Sequence, residues 1–307
     1  MALVSTKEML LDAQSKGYAI GAFNANNLEM AQGIVWAAEQ EDSPVIVQVS
    51  QGGAQHGGVE EMAGIITALA AKARIPVALH LDHGVDFVYN MRCLRAGFTS
   101  LMFDGSQLNF EDNVRVTREV VRAAHAAGLP VEAELGKVPK GPGSISAEEL
   151  KKYLTSPDEA RRFVAATKVD SLAIAVGSMH GMKVKEAVLD IERIKAIREV
   201  VSVPLVLHGA SGVPLATITE AIQAGICKIN IHTQLSKALT QTIRRMLIDD
   251  PNLTDVRKYM GEGRKALMEE VRTMIRLFGS NGKAGGIGHF LEIGVPLEDF
   301  TQNEVVE

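Results

Sequence analysis

Eight short apolar runs recur along the chain, each followed by a helical pattern, and this rhythm constrains the fold more than any other feature. The runs lie at about residues 18–23, 45–49, 77–81, 100–103, 131–135, 171–176, 204–207 and 227–231. Most begin about 27 to 40 residues after the previous one, room for one crossover helix between parallel strands. They read as continuous rather than alternating apolar segments, as strands buried on both faces do. Helix starts are punctuated by Ser5-Thr6-Lys7-Glu8, by Asn26 with Glu29, by Asn109 with Asp112, by Ser146 with Glu149 and by Ser156-Pro157, the residue types that satisfy free N–H groups or fit the first turn. Eight βα units in about 250 residues predict a TIM (β/α)8 barrel of the α/β class. An open doubly wound sheet would place Gly-x-Gly-x-x-Gly after its first strand, and Gly21-Ala22-Phe23-Asn24 does not supply it.

Beyond the eighth strand the pattern predicts extra C-terminal helices, over 236–248 and 255–278. Tyr259, Ala266, Leu267, Val271, Met274, Ile275 and Phe278 form an apolar stripe on the second. It suits packing on the barrel's own helices or contact with a second copy. Residues 1–284 are therefore expected to form a single domain including these helices, and 285–307 a Gly-rich, then acidic, C-terminal extension.

The net charge of −5 over 307 residues, with no basic block, argues against nucleic acid as a partner. An anionic substrate would have to be held by local groups. Cys93 and Cys227 sit inside apolar patterns and read as buried, reduced thiols. No basic-then-apolar leader opens the chain and no apolar run approaches membrane-span length, so the expectation is a cytoplasmic protein with no membrane partner.

Chemistry-bearing residues collect where strands end. Val77 to Leu81 runs into Asp82-His83-Gly84, Leu172 to Val176 into Gly177-Ser178-Met179-His180-Gly181, and Leu205 to Leu207 into His208-Gly209-Ala210-Ser211-Gly212. Adjacent Asp82 and His83 cannot share a face while a strand stays regular, so the third strand is expected to end there. Asn24, Ser50, Asp104, Glu132, Glu134 and Asn230 fall at the same rim, where TIM barrels build their sites. Three imidazoles with one open position describe a catalytic zinc site, although cobalt or iron also suits the ligand type. His80, two residues before Asp82, is expected to point into the barrel interior. Gly209-Ala210-Ser211 and Asn230-Ile231-His232-Thr233 precede helices and offer N–H groups and hydroxyls for a phosphate, and Gly181 would allow close backbone approach.

At these residues the chain resembles the class II, metal-dependent ketose-bisphosphate aldolases, in the shorter branch that includes fructose- and tagatose-bisphosphate aldolases. The motifs are Gly21-Ala22-Phe23-Asn24, His80-Leu81-Asp82-His83-Gly84, Val131-Glu132-Ala133-Glu134-Leu135-Gly136 and His208-Gly209-Ala210-Ser211-Gly212. The resemblance implies one catalytic Zn2+ on His83, His180 and His208, with Asp82 as proton shuttle. It implies binding of dihydroxyacetone phosphate by Gly181, Gly209, Ala210, Ser211, Asn230, Ile231, His232 and Thr233, with Asn24 and Ser50 on the same rim. Asp104 and Glu134 match acidic positions that sometimes carry a second divalent or monovalent cation. It further implies reversible cleavage of a ketose 1,6-bisphosphate, fructose 1,6-bisphosphate first, by a homodimer or homotetramer.

Four departures from the family pattern stand out. The loop after strand five, Lys137-Val138-Pro139-Lys140-Gly141-Pro142-Gly143-Ser144, lacks the family's proton-exchanging glutamate, with Glu148 and Glu149 the nearest acids. His232 replaces a small or acidic residue, Gln107 replaces a histidine, and the C-terminus runs past the usual ending. A metal-dependent hydrolase would want His-x-His after the first strand, which is missing. A family member that binds the metal without catalysis is the other alternative the loop leaves open.

Overall fold

The computed structural model describes residues 3–139, 151–181 and 186–287. Its eight strands are β1 (Ile20–Asn24), β2 (Val45–Ser50), β3 (Val77–Asp82), β4 (Leu101–Phe103), β5 (Val131–Leu135), β6 (Ser171–Ile174), β7 (Leu205–Leu207) and β8 (Ile226–Ile231). They form one parallel sheet in the order β3-β2-β1-β8-β7-β6-β5-β4. Isolated bridges His80 to Ser100 and Gly84 to Phe103 close β3 against β4. There Leu81 N donates to Ser100 O at 3.0 Å and Asp104 N to Gly84 O at 2.8 Å. A Cβ on Gly84 would lie 2.7 Å from the Met102 carbonyl oxygen, so this closure requires glycine. The barrel expected from the βα rhythm is the fold.

Strand alternation sends Val47, Leu79, Ala133, Ile229 and Ile231 into the main hydrophobic core. The first helix, Thr6–Lys16, brings Met9, Leu10 and Ala13 onto Ile20, Ala22, Ile46 and Ala78 in a smaller apolar cluster. That cluster fills the end of the barrel where the strands begin. Above it, alternation turns Gln48, His80, Glu132 and Lys228 inward as a fully buried polar layer. Charges so placed are tolerable only when paired, and the layer supports the rim above.

Of the two roles open to the C-terminal stripe, the structure shows packing on the barrel's own helices. Helix Val256–Phe278 buries Leu267, Val271, Met274, Ile275 and Phe278, with Tyr259 and Ala266 half-buried. It fits closely because Gly33 of helix Leu28–Gln40 has no side chain: a Cβ there would meet Leu267 Cδ2 at 2.7 Å. Arg272 Nε and Arg276 Nη2 both donate to Glu41 Oε1 at 2.7 Å, tying the helix to the end of Leu28–Gln40.

Several local expectations are corrected. Ser5 makes no side-chain cap. Asn27, not Asn26, caps the second helix by accepting from Met30 N at 3.0 Å, which frees Asn26 for the rim. Gln51–Gly57, to which the sequence assigns no element, is a short helix capped by Ser50, whose Oγ accepts from Gly53 N at 3.1 Å. The helix after β8 begins at Thr233 rather than 236, so His232 immediately precedes its first turn. The helix start at Ser146 and Glu149, the remainder of the loop from Lys140, and residues 288–307 lie outside the described residues.

Candidate active site

β3 ends at Asp82, and His83 takes a left-handed backbone with φ +53°. A non-glycine residue pays about 1–3 kcal/mol for such a conformation. The turn breaks the alternation, so adjacent Asp82 and His83 both face the rim cavity. His180 follows β6 and His208 follows β7. The His83 ring centroid lies 5.1 Å from that of His180 and 4.7 Å from that of His208, and the three offer ligand atoms within 4.8 Å of one another.

Carboxylates assign the imidazole tautomers. His83 Nδ1–H donates to Asp104 Oδ2 at 2.7 Å, and His208 Nε2–H to Glu132 Oε1 at 2.9 Å. Asp104 Oδ1 in turn accepts from Ser106 N at 3.1 Å. The remaining nitrogens, His83 Nε2 and His208 Nδ1, then face each other at 3.2 Å. Two lone pairs at that separation repel unless a proton or a cation lies between them. Burial disfavours a charged His83, yet Asp82, Asp104 and Glu134 outweigh it and push its pKa up to about 10. His180, dominated by burial and by its two imidazole neighbours, is lowered to about 3. The cluster demands positive charge and presents three imidazoles to hold it, two of them, His83 and His208, with a carboxylate behind. These residues fit a metal ion.

His83, Asp104 and Glu134 form a second group with ligand atoms within 4.8 Å. Burial, then the nearby Asp104 charge, raises the Glu134 pKa to about 8. Its Oε2 has no hydrogen-bond partner.

Asp82 is held from both sides: Asn24 Nδ2 donates to Oδ2 at 2.8 Å and Asn230 Nδ2 to Oδ1 at 3.1 Å. Burial would raise its pKa, but His83, His208 and Lys228 together bring it down to about 2. Asp82 therefore stands ionised at neutral pH beside the imidazoles.

A cavity of about 240 Å3 opens over this group, lined by Asn24, Ser50, Asp82, His83, His180, Gly181, Gly209, Ser211, Asn230, His232 and Thr233. Ala210 and Ile231 are instead buried in the core, Ile231 because alternation turns it away from Asn230. His208, Asp104 and Glu134 lie beneath the lining. His80 is fully buried, with Nδ1 2.8 Å from Ser100 Oγ, as expected of an interior residue. His232 Nε2 lies 3.3 Å from Asn26 Nδ2, and burial lowers its pKa, so it faces the cavity as a neutral ring. A larger open groove of about 1600 Å3 along helix Phe110–Ala126 contains none of these residues. Sequence reasoning missed Lys228, Gln48 and Asn26. The one available signal was a lysine within the apolar run Ile226-Cys227-Lys228-Ile229, two residues before Asn230.

Gly209 has φ +67°, and a Cβ there would lie 2.9 Å from the Met179 carbonyl oxygen. Gly209→Ala should therefore cost on the order of 1–3 kcal/mol, read as a lower urea midpoint. It should also raise KM for a phosphorylated substrate, because the β6 and β7 loops can no longer approach.

Three imidazoles converging at the rim of a parallel barrel, two of them backed by carboxylates, define a site of the metal-ligating class. Residues 4–283 match the model of the fructose-bisphosphate aldolase class-II family, and the chain belongs to that family; it is a lyase. A fructose-bisphosphate aldolase from Geobacillus stearothermophilus is 44% identical over 287 residues, covering 92% of this chain and 99% of the relative. A sulfofructosephosphate aldolase from Alkalicoccus urumqiensis is 41% identical over 284 residues, covering 92% and 99%. The crystal structure of the YdjI aldolase from Escherichia coli K12 superposes with a TM-score of 0.81 at 40% identity, covering 92% of this chain and 99% of that one.

Proposed function

We propose that the protein is a zinc-dependent aldolase that reversibly cleaves fructose 1,6-bisphosphate, or a closely related ketose phosphate, to dihydroxyacetone phosphate and an aldehyde. The observation that carries this reading is the His83 Nε2 to His208 Nδ1 approach of 3.2 Å beside an ionised Asp82. His83, His180 and His208 would hold the zinc, which supplies the Lewis-acid polarisation of the ketone that carbon–carbon cleavage needs.

The chain's own groups do the rest. Asp82 takes the proton from the hydroxyl beside the bond that breaks, and returns it to the aldehyde oxygen in the synthetic direction. Asn24 and Asn230 aim its carboxylate. Gly181, Gly209, Ser211 and Thr233 line the cavity, and Thr233, with His232 before it, opens the 17-residue helix Thr233–Asp249, at whose N-terminus N–H groups and the helix dipole favour a phosphate. Ser50 and His232 line the same cavity. Asp104 keeps His83 in its tautomer, and Glu134 Oε2 is the oxygen left for a second cation. In this reading residues 1–284 act as one unit, in the cytoplasm.

A homodimer or homotetramer, as the family resemblance implies, would have apolar surface to cover at Val85, Phe87 and Val88, which are 57%, 36% and 76% exposed. A sulfonated ketose phosphate is the second reading, favoured by the 41% identity to the sulfofructosephosphate aldolase. The test is a coupled assay for dihydroxyacetone phosphate with fructose 1,6-bisphosphate, tagatose 1,6-bisphosphate and sulfofructose phosphate, each with and without chelator. Chelator-sensitive release from one of them is the expected result. Release from none would overturn the aldolase reading.

A further inference from the structure

We propose that Lys228, buried beneath the cavity, is a positioning residue that sets both the zinc-binding tautomer of His208 and the aim of Asp82. The inference rests on the aldolase reading for the role of Asp82, but its zinc arm does not.

Lys228 lies mid-strand in β8 and is 0% exposed. Its Nζ donates to Asn230 Oδ1 at 2.8 Å and forms an ion pair, without hydrogen-bond geometry, with Glu132 Oε2 at 2.9 Å. An ammonium in a barrel interior is a poor stabiliser; an apolar residue of similar volume commonly matches or improves on a buried pair. The geometry points to a different use, because each partner of Lys228 reaches a different part of the site.

The first arm runs through Glu132. With Oε2 on the ammonium, its Oε1 accepts Nε2–H of His208 at 2.9 Å. This leaves Nδ1 of His208 as the bare lone pair that faces His83. Behind a metal-ligating histidine, a partner of this kind fixes ring orientation and tautomer.

The second arm runs through Asn230. A carboxamide can be flipped, exchanging its donor and acceptor ends. Here one end faces an ammonium, which can only donate; the other donates to the Asp82 carboxylate, which can only accept, and also lies 3.1 Å from His208 Nε2, whose proton is directed to Glu132. Only one orientation satisfies both, and Lys228 enforces it. The flipped form would set N–H against N–H and oxygen against carboxylate. Gln48 does the same for Asn24 on the other side: its Nε2 donates to Asn24 Oδ1 at 2.8 Å while Asn24 Nδ2 donates to Asp82 at 2.8 Å. Lys228 differs from Gln48 in reaching the metal ligand as well.

The test compares Lys228→Met with the double variant Glu132→Gln/Lys228→Met. The single variant leaves the Glu132 carboxylate without its cation. The double variant restores a neutral acceptor for His208 and removes the unpaired charge, so it folds even where the single one does not. Zinc affinity by competition with a chelating dye, thermal midpoint, and kcat and KM at saturating zinc are the readouts. In Lys228→Met, zinc affinity should fall roughly 10- to 100-fold, the range for lost partners of metal ligands. In the double variant, affinity should return to within a few-fold of the parent while kcat stays reduced by roughly 10- to 100-fold with KM little changed, because Asn230 still lacks its anchor. Wild-type kcat in the double variant would overturn the Asn230 arm. Unchanged zinc affinity in Lys228→Met, or equal loss in both variants, would overturn the Glu132 arm; if Lys228→Met fails to fold, parental affinity in the double variant supports that arm and weakened affinity overturns it. A lysine that served stability alone would lower the thermal midpoint and leave both other readouts intact. If the parent protein cleaved no ketose phosphate, the aldolase reading would fail by itself, and the zinc measurements would still decide the Glu132 arm.

Discussion

Asp82→Ala should lower kcat for ketose-bisphosphate cleavage by roughly 10²–10⁴-fold, the usual contribution of a positioned acid–base group, and leave zinc binding intact. The two effects separate because Asp82 Oδ1 is 3.8 Å from His83 Nε2, beyond hydrogen-bond reach, while His83 takes its orientation from Asp104 at 2.7 Å. Alanine is the informative substitution. In Asp82→Asn the new amide N–H groups would face the N–H groups of Asn24 or Asn230, both of which now donate to the carboxylate. That clash would disturb the rim for reasons unrelated to proton transfer. KM should change little, since the phosphate-facing groups stand on other loops. The measurement is steady-state kinetics alongside metal content of the purified variant. A variant that loses its zinc would identify Asp82 as a support for His83 rather than a proton carrier.

The rim was legible in the sequence because its groups fall where apolar runs stop. Asp82 closes β3, His208 directly follows β7 and His180 stands beside Gly181 in the loop beyond β6, so apolar runs that give way to polar residues and glycine mark all three. The layer beneath was not legible. Lys228 and Gln48 sit inside strands whose neighbours are apolar, and nothing local distinguishes a buried lysine from one turned to solvent. Their partners, Glu132 and Asn24, come from 96 and 24 positions away (228 − 132 and 48 − 24), so the pairing exists only once the barrel has closed. Asn26 failed for the opposite reason: local rules made it a helix cap, and the adjacent Asn27 took that role. The helix Gln51–Gly57 was lost behind two glycines that weaken helix propensity.

Metal removal should have the largest effect of all. Chelation should abolish cleavage and lower the thermal midpoint, since a ligand present at about 100 times its Kd stabilises a fold by roughly 2.7 kcal/mol. Added zinc should restore both. His208→Ala should reproduce the chelated state even with zinc present at levels that saturate the parent. The variant should still fold, because Glu132 keeps Lys228 at 2.9 Å when the imidazole is gone. Calorimetric titration with zinc and the coupled triose-phosphate assay read the two consequences separately. The alternative chemistry for an aldolase is a Schiff base on a lysine, and it would make the enzyme indifferent to chelator. Among the described residues no lysine lines the cavity. Lys228 lies below it with its ammonium committed to Glu132 and Asn230. Cleavage that survived chelation would therefore require an amine from outside the described residues, and His208→Ala would then leave kcat unchanged.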